Sequence, residues 1–305
     1  MTGPAGRSSA SGVIAAALTP MRDDLAADAD LLAEHCRLLL NAGCSGIVVL
    51  GTTGEANSFT LDERERILAR LPDSGIAPAA LMVGTGCCAV SDAARLTKHA
   101  LSLGVERVLL LPPFYYRGVS DDGLFAALAQ TIEAVADPRL RVYLYQIPQN
   151  TGVEFSVELI ERLLRAYPGV IAGIKDSCGE WPATQALCAR FGERLDVLVG
   201  SERFLLRALG AGAAGCVTAS ANVNATAIAK LYAARGDPAA PELQSSVTAW
   251  RSAIETFPLI AALKEIVARR SGIERWRNVR PPLCPLPARV AQALDRRLQQ
   301  AQAKA

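Results

Sequence analysis

The sequence predicts a (β/α)8 TIM barrel followed by a small C-terminal helical domain. Short apolar runs alternate with helical patterns eight times before residue 237. The runs are apolar at consecutive rather than alternate positions, which is typical of parallel strands buried on both faces. Such a barrel takes about 250 residues, or about 31 for each strand–helix unit, and the spacing of the runs agrees with this. A doubly wound sheet is the alternative fold, but eight uniform repeats favour a closed barrel.

The predicted strands and helices follow one another in strict alternation. The apolar runs begin near Val13, Ile47, Ala80, Val105, Val142, Val170, Val197 and Gly215. Each run precedes a segment with helical periodicity. The eight helical segments read LLAEHCRLLLNAG, LDERERILARL, SDAARLTKHALSLG, SDDGLFAALAQTIEAVA, SVELIERLLRAY, WPATQALCARFG, SERFLLRALGAG and NATAIAKLYAARG.

Several of these helices carry start and stop signals. Thr60 followed by Glu63 predicts a capping box, and Ser91 and Ser120 are candidates for N-caps. Three glycines fall where helices should end, namely Gly43, Gly104 and Gly210.

The chain divides into three predicted parts. Residues 1–11 are small and polar, do not resemble a signal peptide, and predict a flexible tail. Residues 12–238 hold the eight strand–helix units and predict the catalytic barrel. After a linker at Asp237–Pro241, residues 239–305 are helical in pattern and predict the C-terminal domain.

The composition is typical of a soluble globular protein, with 50% of the 305 residues hydrophobic and 20% charged. A formal net charge of +2 indicates neither a nucleic-acid partner nor a membrane surface. No apolar run approaches the roughly 20 residues that span a bilayer. The eight cysteines include no C-x-x-C pair, so we expect reduced thiols and a cytoplasmic location.

The sequence contains only two histidines, His35 and His99. Both fall in helical patterns outside the barrel, where we expect a surface or interface position. A histidine-dependent nucleophile, proton shuttle or metal site is therefore not predicted. Patterns of the H-E-x-x-H, Walker A and EF-hand types are also missing from the sequence.

The strongest candidate for chemistry is Lys175, which ends the apolar run VIAGIK. Catalytic groups of barrel enzymes sit at the C-terminal ends of strands. Burial there favours a neutral amine, which attacks a ketone to form an imine. The alternative is a lysine that reaches solvent or pairs with Asp176. The other lysines lie in helical or tail segments, at Lys98, Lys230, Lys264 and Lys304.

Imine chemistry needs a proton shuttle, and tyrosine is the best remaining candidate when histidine is absent. Tyr145 ends the strand that precedes the one carrying Lys175. Tyr143 has the same side-chain parity, so periodicity does not choose between the two. Proximity to the C-terminal end of the strand favours Tyr145.

The loop Gly51–Glu55 follows the second strand and combines two glycines with two hydroxyls. Its backbone N–H groups suit a carboxylate. The simpler interpretation is a tight turn between strand and helix. Glu55 is then either a residue behind the site or a surface residue.

Five segments in order resemble one known family, and each falls at a predicted strand end. The segments are GTTGEANSFTLDER, PPFYYRG, YQIPQNTG, GIKDS and GCVTASANV. They resemble the Schiff-base pyruvate lyases typified by dihydrodipicolinate synthase and N-acetylneuraminate lyase. The resemblance extends from Gly12 to about Leu286, and Y-x-I-P followed by K-D one unit later is its most specific feature.

The resemblance implies a role for each matching residue. Lys175 would form the imine with pyruvate or another 2-oxo acid, and Tyr145 would be the general acid and base. Thr52 would connect Tyr145 to a proton relay, which Tyr115, rather than Tyr116, would complete in a neighbouring subunit. Thr53, with its backbone N–H, would hold the substrate carboxylate, and Val217 would contact the substrate through its own backbone. Gly51 would also bind substrate. The resemblance also implies a homotetramer built from tight dimers and no metal or organic cofactor.

Two departures from the family pattern bear on the substrate. Dihydrodipicolinate synthases carry an arginine, which binds the carboxylate of the aldehyde substrate, where this chain has Asn150. Asn150 therefore favours a 4-hydroxy-2-oxo acid substrate over aspartate semialdehyde. The positions that match the lysine-feedback site are Leu61 and Cys88 instead of polar residues, so we expect no feedback inhibition by lysine.

Three functions are therefore compatible with the sequence. The favoured one is an imine-forming lyase or aldolase that releases or consumes pyruvate. The second is an authentic dihydrodipicolinate synthase that tolerates Asn150. The third is a catalytically inactive barrel that binds a small molecule, which the intact Lys175 and Tyr145 oppose.

Overall fold

Eight parallel strands close into a barrel in sequential order, and the last strand pairs with the first. The computed structural model of the chain describes residues 10–302. The strands are β1 Gly12–Ala16, β2 Gly46–Val49, β3 Leu81–Gly84, β4 Arg107–Leu110, β5 Arg141–Gln146, β6 Ile171–Asp176, β7 Asp196–Val199 and β8 Gly215–Thr218. Every strand starts within two residues of its predicted position, and the predicted barrel is confirmed.

Helices surround the barrel and continue beyond it. They are α1 Ala29–Asn41, α2 Leu61–Asp73, α3 Val90–Ser102, α4 Asp121–Val135, α5 Pro148–Thr151, α6 Val157–Ala166, α7 Trp181–Phe191, α8 Leu205–Gly210, α9 Ala221–Ala233, α10 Ala240–Ile254, α11 Leu259–Ser271 and α12 Ala288–Gln302. The C-terminal helical stretch is broken between α10 and α11, where Pro258 lacks the N–H that a continuing helix would need.

The predicted helix signals are confirmed with one exception. Thr60 and Glu63 exchange both hydrogen bonds of a capping box, and the Ser120 hydroxyl accepts from the backbone N–H of Gly123. The prediction for Ser91 is wrong, because α3 begins one residue earlier and has Ala89 at its N-cap without a side-chain hydrogen bond.

The barrel separates two apolar layers. Side chains that point outward from the strands pack against the helices and form the larger core, as Val13, Ile47 and Val197 do. Side chains that point inward fill the barrel itself, and they include Ile14, Val48, Met82, Leu109, Tyr143, Tyr145, Leu198 and Val217. This alternation follows from the two-residue period of a strand. It places both tyrosines of β5 inside the barrel.

The C-terminal helices pack on the barrel through a separate apolar cluster. Trp250, Leu263, Trp276 and Leu294 are buried members of this cluster. The barrel side is contributed by Leu18, Leu31, Ala219 and Val223. The helices that follow α9 therefore cover one side of the barrel near the C-terminal ends of β1 and β8.

His35 lies in this covered region, and the expected surface position is wrong for it. The ring is buried, stands 4.9 Å from the ring of Trp276, and has Nε2 2.8 Å from Oδ1 of Asn222. The residues that cover His35 come from the C-terminal part of the chain, which helical periodicity alone does not reveal. His99 is half-buried, with its ring nitrogen 3.0 Å from the Glu65 carbonyl.

The predicted tail lies outside the described residues except for Ala10 and Ser11. Ala10 is buried, and its backbone N–H donates to the Tyr143 hydroxyl at 3.1 Å and to Oδ2 of Asp196 at 2.8 Å. These bonds attach Ala10 to the N-terminal end of the barrel, which does not agree with a flexible tail at this residue.

Two further observations concern the described part of the chain. All eight cysteines are within it, and none forms a disulfide. Between residues 10 and 302, no helix has the length and apolar character that crossing a membrane requires.

Candidate active site

A cavity of about 680 Å³ opens at the C-terminal ends of the strands. Most of the residues singled out from the sequence line it, namely Thr52, Thr53, Tyr145, Asn150, Lys175 and Val217. They come from β5, the short helix α5, β6, β8 and the loop after β2, most of which lie far apart along the chain. The closed barrel brings these strand ends together around one opening.

Lys175 enters this cavity from β6 and is only 6% exposed. Its Nζ lies 4.2 Å from the centre of the Tyr145 ring. The side chain does not follow the simpler interpretation of a solvent-exposed lysine or of a pair with Asp176. The Asp176 carboxylate instead accepts hydrogen bonds from Thr184 Oγ1 at 2.6 Å and from the Cys178 backbone N–H at 3.1 Å. Within residues 10–302, Lys175 forms no ion pair with a carboxylate.

Tyr145 and Lys175 are neighbours because of the register between β5 and β6. The two residues are paired directly across the strands, one position before the strands end. The Tyr145 hydroxyl lies 3.3 Å from Thr52 Oγ1. Burial alone would raise the pKa of Tyr145, but the Lys175 charge, with hydrogen bonds from Thr52, Lys175 and Ser177, lowers the pKa below its ordinary value. This hydroxyl is therefore suited to proton transfer beside an amine.

Tyr143 occupies the opposite end of the barrel. Its hydroxyl donates to Oδ2 of Asp196 at 2.7 Å, and burial raises its pKa. Gly173 makes room for the ring, since a Cβ there would lie 2.5 Å from the ring carbons. The structure therefore separates the two tyrosines, which the sequence left as alternatives, and places only Tyr145 beside Lys175.

The loop after β2 has a constrained backbone. Leu50 and Glu55 both have positive φ, at 55° and 56°, which is uncommon for residues with side chains. Gly54 approaches the barrel closely, since a Cβ there would lie 3.1 Å from the Ala17 carbonyl. Thr53 is 9% exposed and faces the cavity with Thr52. The loop thus presents two hydroxyls to the cavity from a fixed turn.

Gly51 does not line the main cavity. It lines a separate cavity of about 10 Å³, together with Thr52, Tyr145 and the buried Arg64. Its predicted contact with substrate stays a prediction. The surface interpretation of Glu55 is wrong, since this side chain is buried.

Tyr115 is not brought to the cavity of its own chain. Tyr115 and Tyr116 are 77% and 73% exposed, and their rings meet edge to face with centres 5.4 Å apart. The two tyrosines project from the loop that follows β4. A role for Tyr115 in a neighbouring subunit's site stays a prediction.

The sequence reasoning missed a polar group on the far wall of the cavity, formed by Arg203, Arg251 and Glu255. Glu255 accepts from Arg203 Nη1 at 2.5 Å and from Arg251 Nε at 3.1 Å. Arg251 also donates to Ser220 Oγ at 3.2 Å. Arg251 and Glu255 come from the end of α10, outside the strand ends that were searched.

Among residues 10–302, no cluster of three or more histidine, cysteine or acidic side chains has the arrangement of a metal site.

Nearly the whole chain matches known proteins. The model of the dihydrodipicolinate synthetase family matches residues 9–301. An uncharacterized DapA-like lyase of Chloroflexus aurantiacus is 34% identical over 282 residues, which cover 90% of this chain and 91% of that protein. A 4-hydroxy-tetrahydrodipicolinate synthase of Bartonella bacilliformis is 27% identical and covers 95% of this chain and 97% of its own length.

Solved structures agree with this assignment. Dihydrodipicolinate synthase of Agrobacterium tumefaciens superimposes with a TM-score of 0.87 at 33% identity, covering 95% of this chain and 99% of that one. YagE, a prophage protein of E. coli K12 from the dihydrodipicolinic acid synthase family, was solved in complex with pyruvate. It has a TM-score of 0.88 at 25% identity and covers 96% of this chain and 98% of that one. The chain therefore belongs to the dihydrodipicolinate synthetase family, whose members are class I pyruvate-dependent lyases.

Proposed function

We propose that this lyase forms an imine between Lys175 and pyruvate, and that it makes or breaks a C–C bond at pyruvate C3. The observation that carries the proposal is a buried Lys175 directly beside the Tyr145 ring in the cavity, with no carboxylate partner among residues 10–302. An amine that is both buried and unpaired is suited to act as a nucleophile. YagE, the relative solved with pyruvate, supports the choice of 2-oxo acid.

The reaction begins when Lys175 Nζ attacks the ketone carbon of pyruvate. The carbinolamine loses water and gives a protonated imine, which withdraws electrons from the neighbouring C3. Loss of a C3 proton leaves an enamine, and its C3 attacks the carbonyl carbon of an aldehyde. In the cleavage direction the same steps run in reverse, and hydrolysis of the imine releases pyruvate and regenerates the amine.

Tyr145 carries the protons in this scheme. Its hydroxyl supplies a proton when water leaves the carbinolamine and receives one on the return. Thr52 orients this hydroxyl, as the 3.3 Å distance between the two oxygens supports. General acid–base catalysis of this kind contributes about 10²–10⁴-fold to the rate.

The loop after β2 is the proposed site for the pyruvate carboxylate. The hydroxyl and backbone N–H of Thr53 would bind it, and Val217 would contact the substrate from β8. Both residues line the cavity with Lys175. Charge-assisted hydrogen bonds to backbone N–H groups are well suited to a carboxylate.

The proposed assembly is a homotetramer made of two tight dimers. Two neighbouring tyrosines that are more than two-thirds exposed are unusual for an isolated chain, and they support burial in a partner. Tyr115 would then complete the proton relay of the adjacent subunit. Measurement of the mass in solution by light scattering, for wild type and Tyr115→Ala, tests the assembly.

The proposed aldol substrate is a 4-hydroxy-2-oxo acid. Asn150 lines the cavity where an arginine would bind the second carboxylate of the semialdehyde adduct. The second candidate is condensation of pyruvate with aspartate semialdehyde, which the relatives named 4-hydroxy-tetrahydrodipicolinate synthase favour. A barrel that binds a small molecule without turnover is the third candidate, and the proximity of Lys175 and Tyr145 argues against it.

The free cysteines are consistent with the proposed cytoplasmic location.

Trapping with borohydride tests the proposal directly. Incubation with pyruvate and borohydride should add the mass of one reduced pyruvate to each chain, and peptide mapping should locate it at Lys175. Lys175→Ala should abolish the adduct and the turnover, while Lys230→Ala on α9 serves as the matched control and should keep both. An adduct on another lysine, or no adduct on the wild type, contradicts the proposed chemistry.

A further inference from the structure

A buried ion pair connects the loop after β2 to the C-terminal helices. Lys264 Nζ on α11 lies 2.5 Å from Oε1 of Glu55, and neither side chain is exposed to solvent. Glu55 follows Thr52 and Thr53 in the same turn, whereas Lys264 is more than two hundred residues away along the chain. The proposed catalytic steps use neither residue.

Further hydrogen bonds fix both members of the pair. Oε2 of Glu55 accepts from the backbone N–H of Arg280 at 3.1 Å, and Lys264 donates to the Asn278 carbonyl at 2.6 Å. Burial lowers the pKa of Lys264, while the Glu55 carboxylate favours its charged form. Transfer of two charges from water to the protein interior costs free energy, which offsets the attraction between them. A buried ion pair is therefore weak evidence that its role is only to stabilise the fold.

The ion pair is attached to a closed turn that contains Thr52 and Thr53. Glu55 has the left-handed backbone conformation, and its N–H donates to the Thr52 carbonyl at 3.1 Å. The N–H of Ala56 donates to the Gly51 carbonyl at 3.2 Å. Because these bonds close the turn around Thr52 and Thr53, the conformation of Glu55 and the placement of both hydroxyls change together.

The segment on the other side of Glu55 is held by the same C-terminal region. The Arg280 guanidinium donates to the Ser58 carbonyl at 2.7 Å and pairs with Glu63 at 2.6 Å. Gly54 is tied to the barrel by the Thr19 hydroxyl, which donates to its carbonyl at 2.8 Å. Glu55 is therefore the point where the turn is held from the C-terminal side.

We propose that Glu55 and Lys264 are positioning residues, which hold the Thr52–Thr53 turn in place for the pyruvate carboxylate and for Tyr145. The inference rests on the proposed imine chemistry, because it assigns that turn to pyruvate. It makes the C-terminal helices part of the machinery that forms the imine, although they contribute no reacting group.

The test measures the pyruvate concentration that gives half-maximal borohydride labelling, by mass spectrometry of the intact chain. This readout needs no second substrate. Glu55→Gln and Lys264→Met should each raise that concentration about tenfold, as expected where an interaction with a charged group is weakened. The double variant Glu55→Gln/Lys264→Gln replaces the ion pair by a neutral hydrogen-bonded pair, and should restore part of the loss.

Two controls separate positioning from general stability. Arg275→Met removes the 3.0 Å pair with Asp28, which also joins the C-terminal region to the barrel but does not touch the turn. Tyr143→Phe weakens the core at the far end of the barrel. All variants are compared at a temperature well below the lowest melting temperature. Both controls should leave half-maximal labelling unchanged within about twofold, even where they melt earlier.

The outcomes distinguish this inference from the proposed function. If the wild type is labelled but Glu55→Gln and Lys264→Met need the same pyruvate concentration as the wild type, the positioning role is wrong and the imine chemistry stands. If the controls weaken labelling as much as these variants do, the pair is only structural and the inference is again overturned. If the wild type forms no adduct, the proposed function fails and the inference fails with it.

Discussion

Replacement of Tyr145 by phenylalanine is the sharpest test of the proton relay. The substitution removes a single oxygen, which lies 3.3 Å from Thr52 Oγ1. It keeps the ring, whose centre is 4.2 Å from Lys175 Nζ. Packing and the contact between the ring and Lys175 Nζ should therefore survive, and only the proposed proton-transfer group is lost.

The expected loss follows from what that oxygen does. General acid–base catalysis contributes about 10²–10⁴-fold, which corresponds to about 3–5 kcal/mol at 1.36 kcal/mol for each factor of ten. Because Thr53 and the loop after β2 are not altered, KM should change much less than kcat. The Lys175 charge and the hydrogen bonds that lower the pKa of Tyr145 also predict that the basic limb of the wild-type pH–rate profile lies below pH 10. That limb should disappear in the variant.

Tyr143→Phe is the matched control, since it makes the same change two residues away. It removes the hydroxyl that donates to Asp196 at 2.7 Å and leaves the Ala10 N–H on that carboxylate. Loss of one hydrogen bond to a buried charged group costs about 1–3 kcal/mol of unfolding free energy. This variant should melt earlier and keep its kcat.

The assay follows release of pyruvate from 4-hydroxy-2-oxo acids through NADH-dependent reduction of pyruvate, with melting curves for each variant. The reasoning is refuted if Tyr145→Phe turns over at the wild-type rate, or if Tyr143→Phe loses as much kcat as Tyr145→Phe does. Either result would mean that the proton passes through another group.

Three further predictions concern the substrate and the pH dependence of stability. Asn150→Arg should raise kcat/KM for the condensation of pyruvate with aspartate semialdehyde about tenfold. This is the lower end of the gain expected from a hydrogen bond between charged groups, because residue 150 is exposed. Equal kcat/KM values for the variant and the wild type would contradict this prediction. Burial, only partly offset by the hydrogen bond to Asn222, lowers the pKa of His35 below 6.5. The unfolding free energy should therefore fall as the pH drops below 6.5, by up to about 1.4 kcal/mol per pH unit. In denaturant titrations, the unfolding free energy of His35→Gln should depend less steeply on pH in that range. The Arg280 hydrogen bond lowers the pKa of Glu63 from 4.5 to about 2, so its stabilisation is complete above pH 4.5 and lost as pH falls towards 2. Glu63→Gln should flatten that acid range, and an unchanged acid limb would contradict the assignment.

The barrel strands were predictable because each is a short apolar run buried on both faces. A parallel strand needs no distant information to be recognised, and all eight starts lie within two residues of their predicted positions. The helix caps are also local signals, and Thr60 with Glu63 formed the expected capping box. Ser91 failed because a serine in the first turn of a helix is locally indistinguishable from one at its cap.

The choice between two tyrosines needed the register of neighbouring strands. Tyr143 and Tyr145 point to the same side of β5, so the period of the strand is silent about which one reaches the lysine. Direct pairing of Tyr145 with Lys175 decides it, and that pairing is set by β5 and β6 closing together in the barrel. The Y-x-I-P motif of the family also indicates Tyr145.

What the sequence could not predict comes from the helices beyond the barrel. A charged residue in an amphipathic helix is normally read as surface, yet Lys264 is buried against Glu55 and Arg251 faces the cavity. His35 was misplaced for the same reason, since Trp276 covers it from the C-terminal side. Helical periodicity defines an apolar face but does not say which other elements will cover the polar one.

In the proposed mechanism, the strand ends carry the group that would react, Lys175, and the group that would move protons, Tyr145. The appended helices carry Arg251, which lines the cavity, and Lys264, which we infer to hold the loop for the carboxylate. Substitutions in α10 should then change which aldehyde is used without abolishing the imine, whereas substitutions at Lys175 remove the chemistry for every aldehyde. Relatives with the same strand ends and different appended helices are expected to share the first half of the reaction and differ in the second.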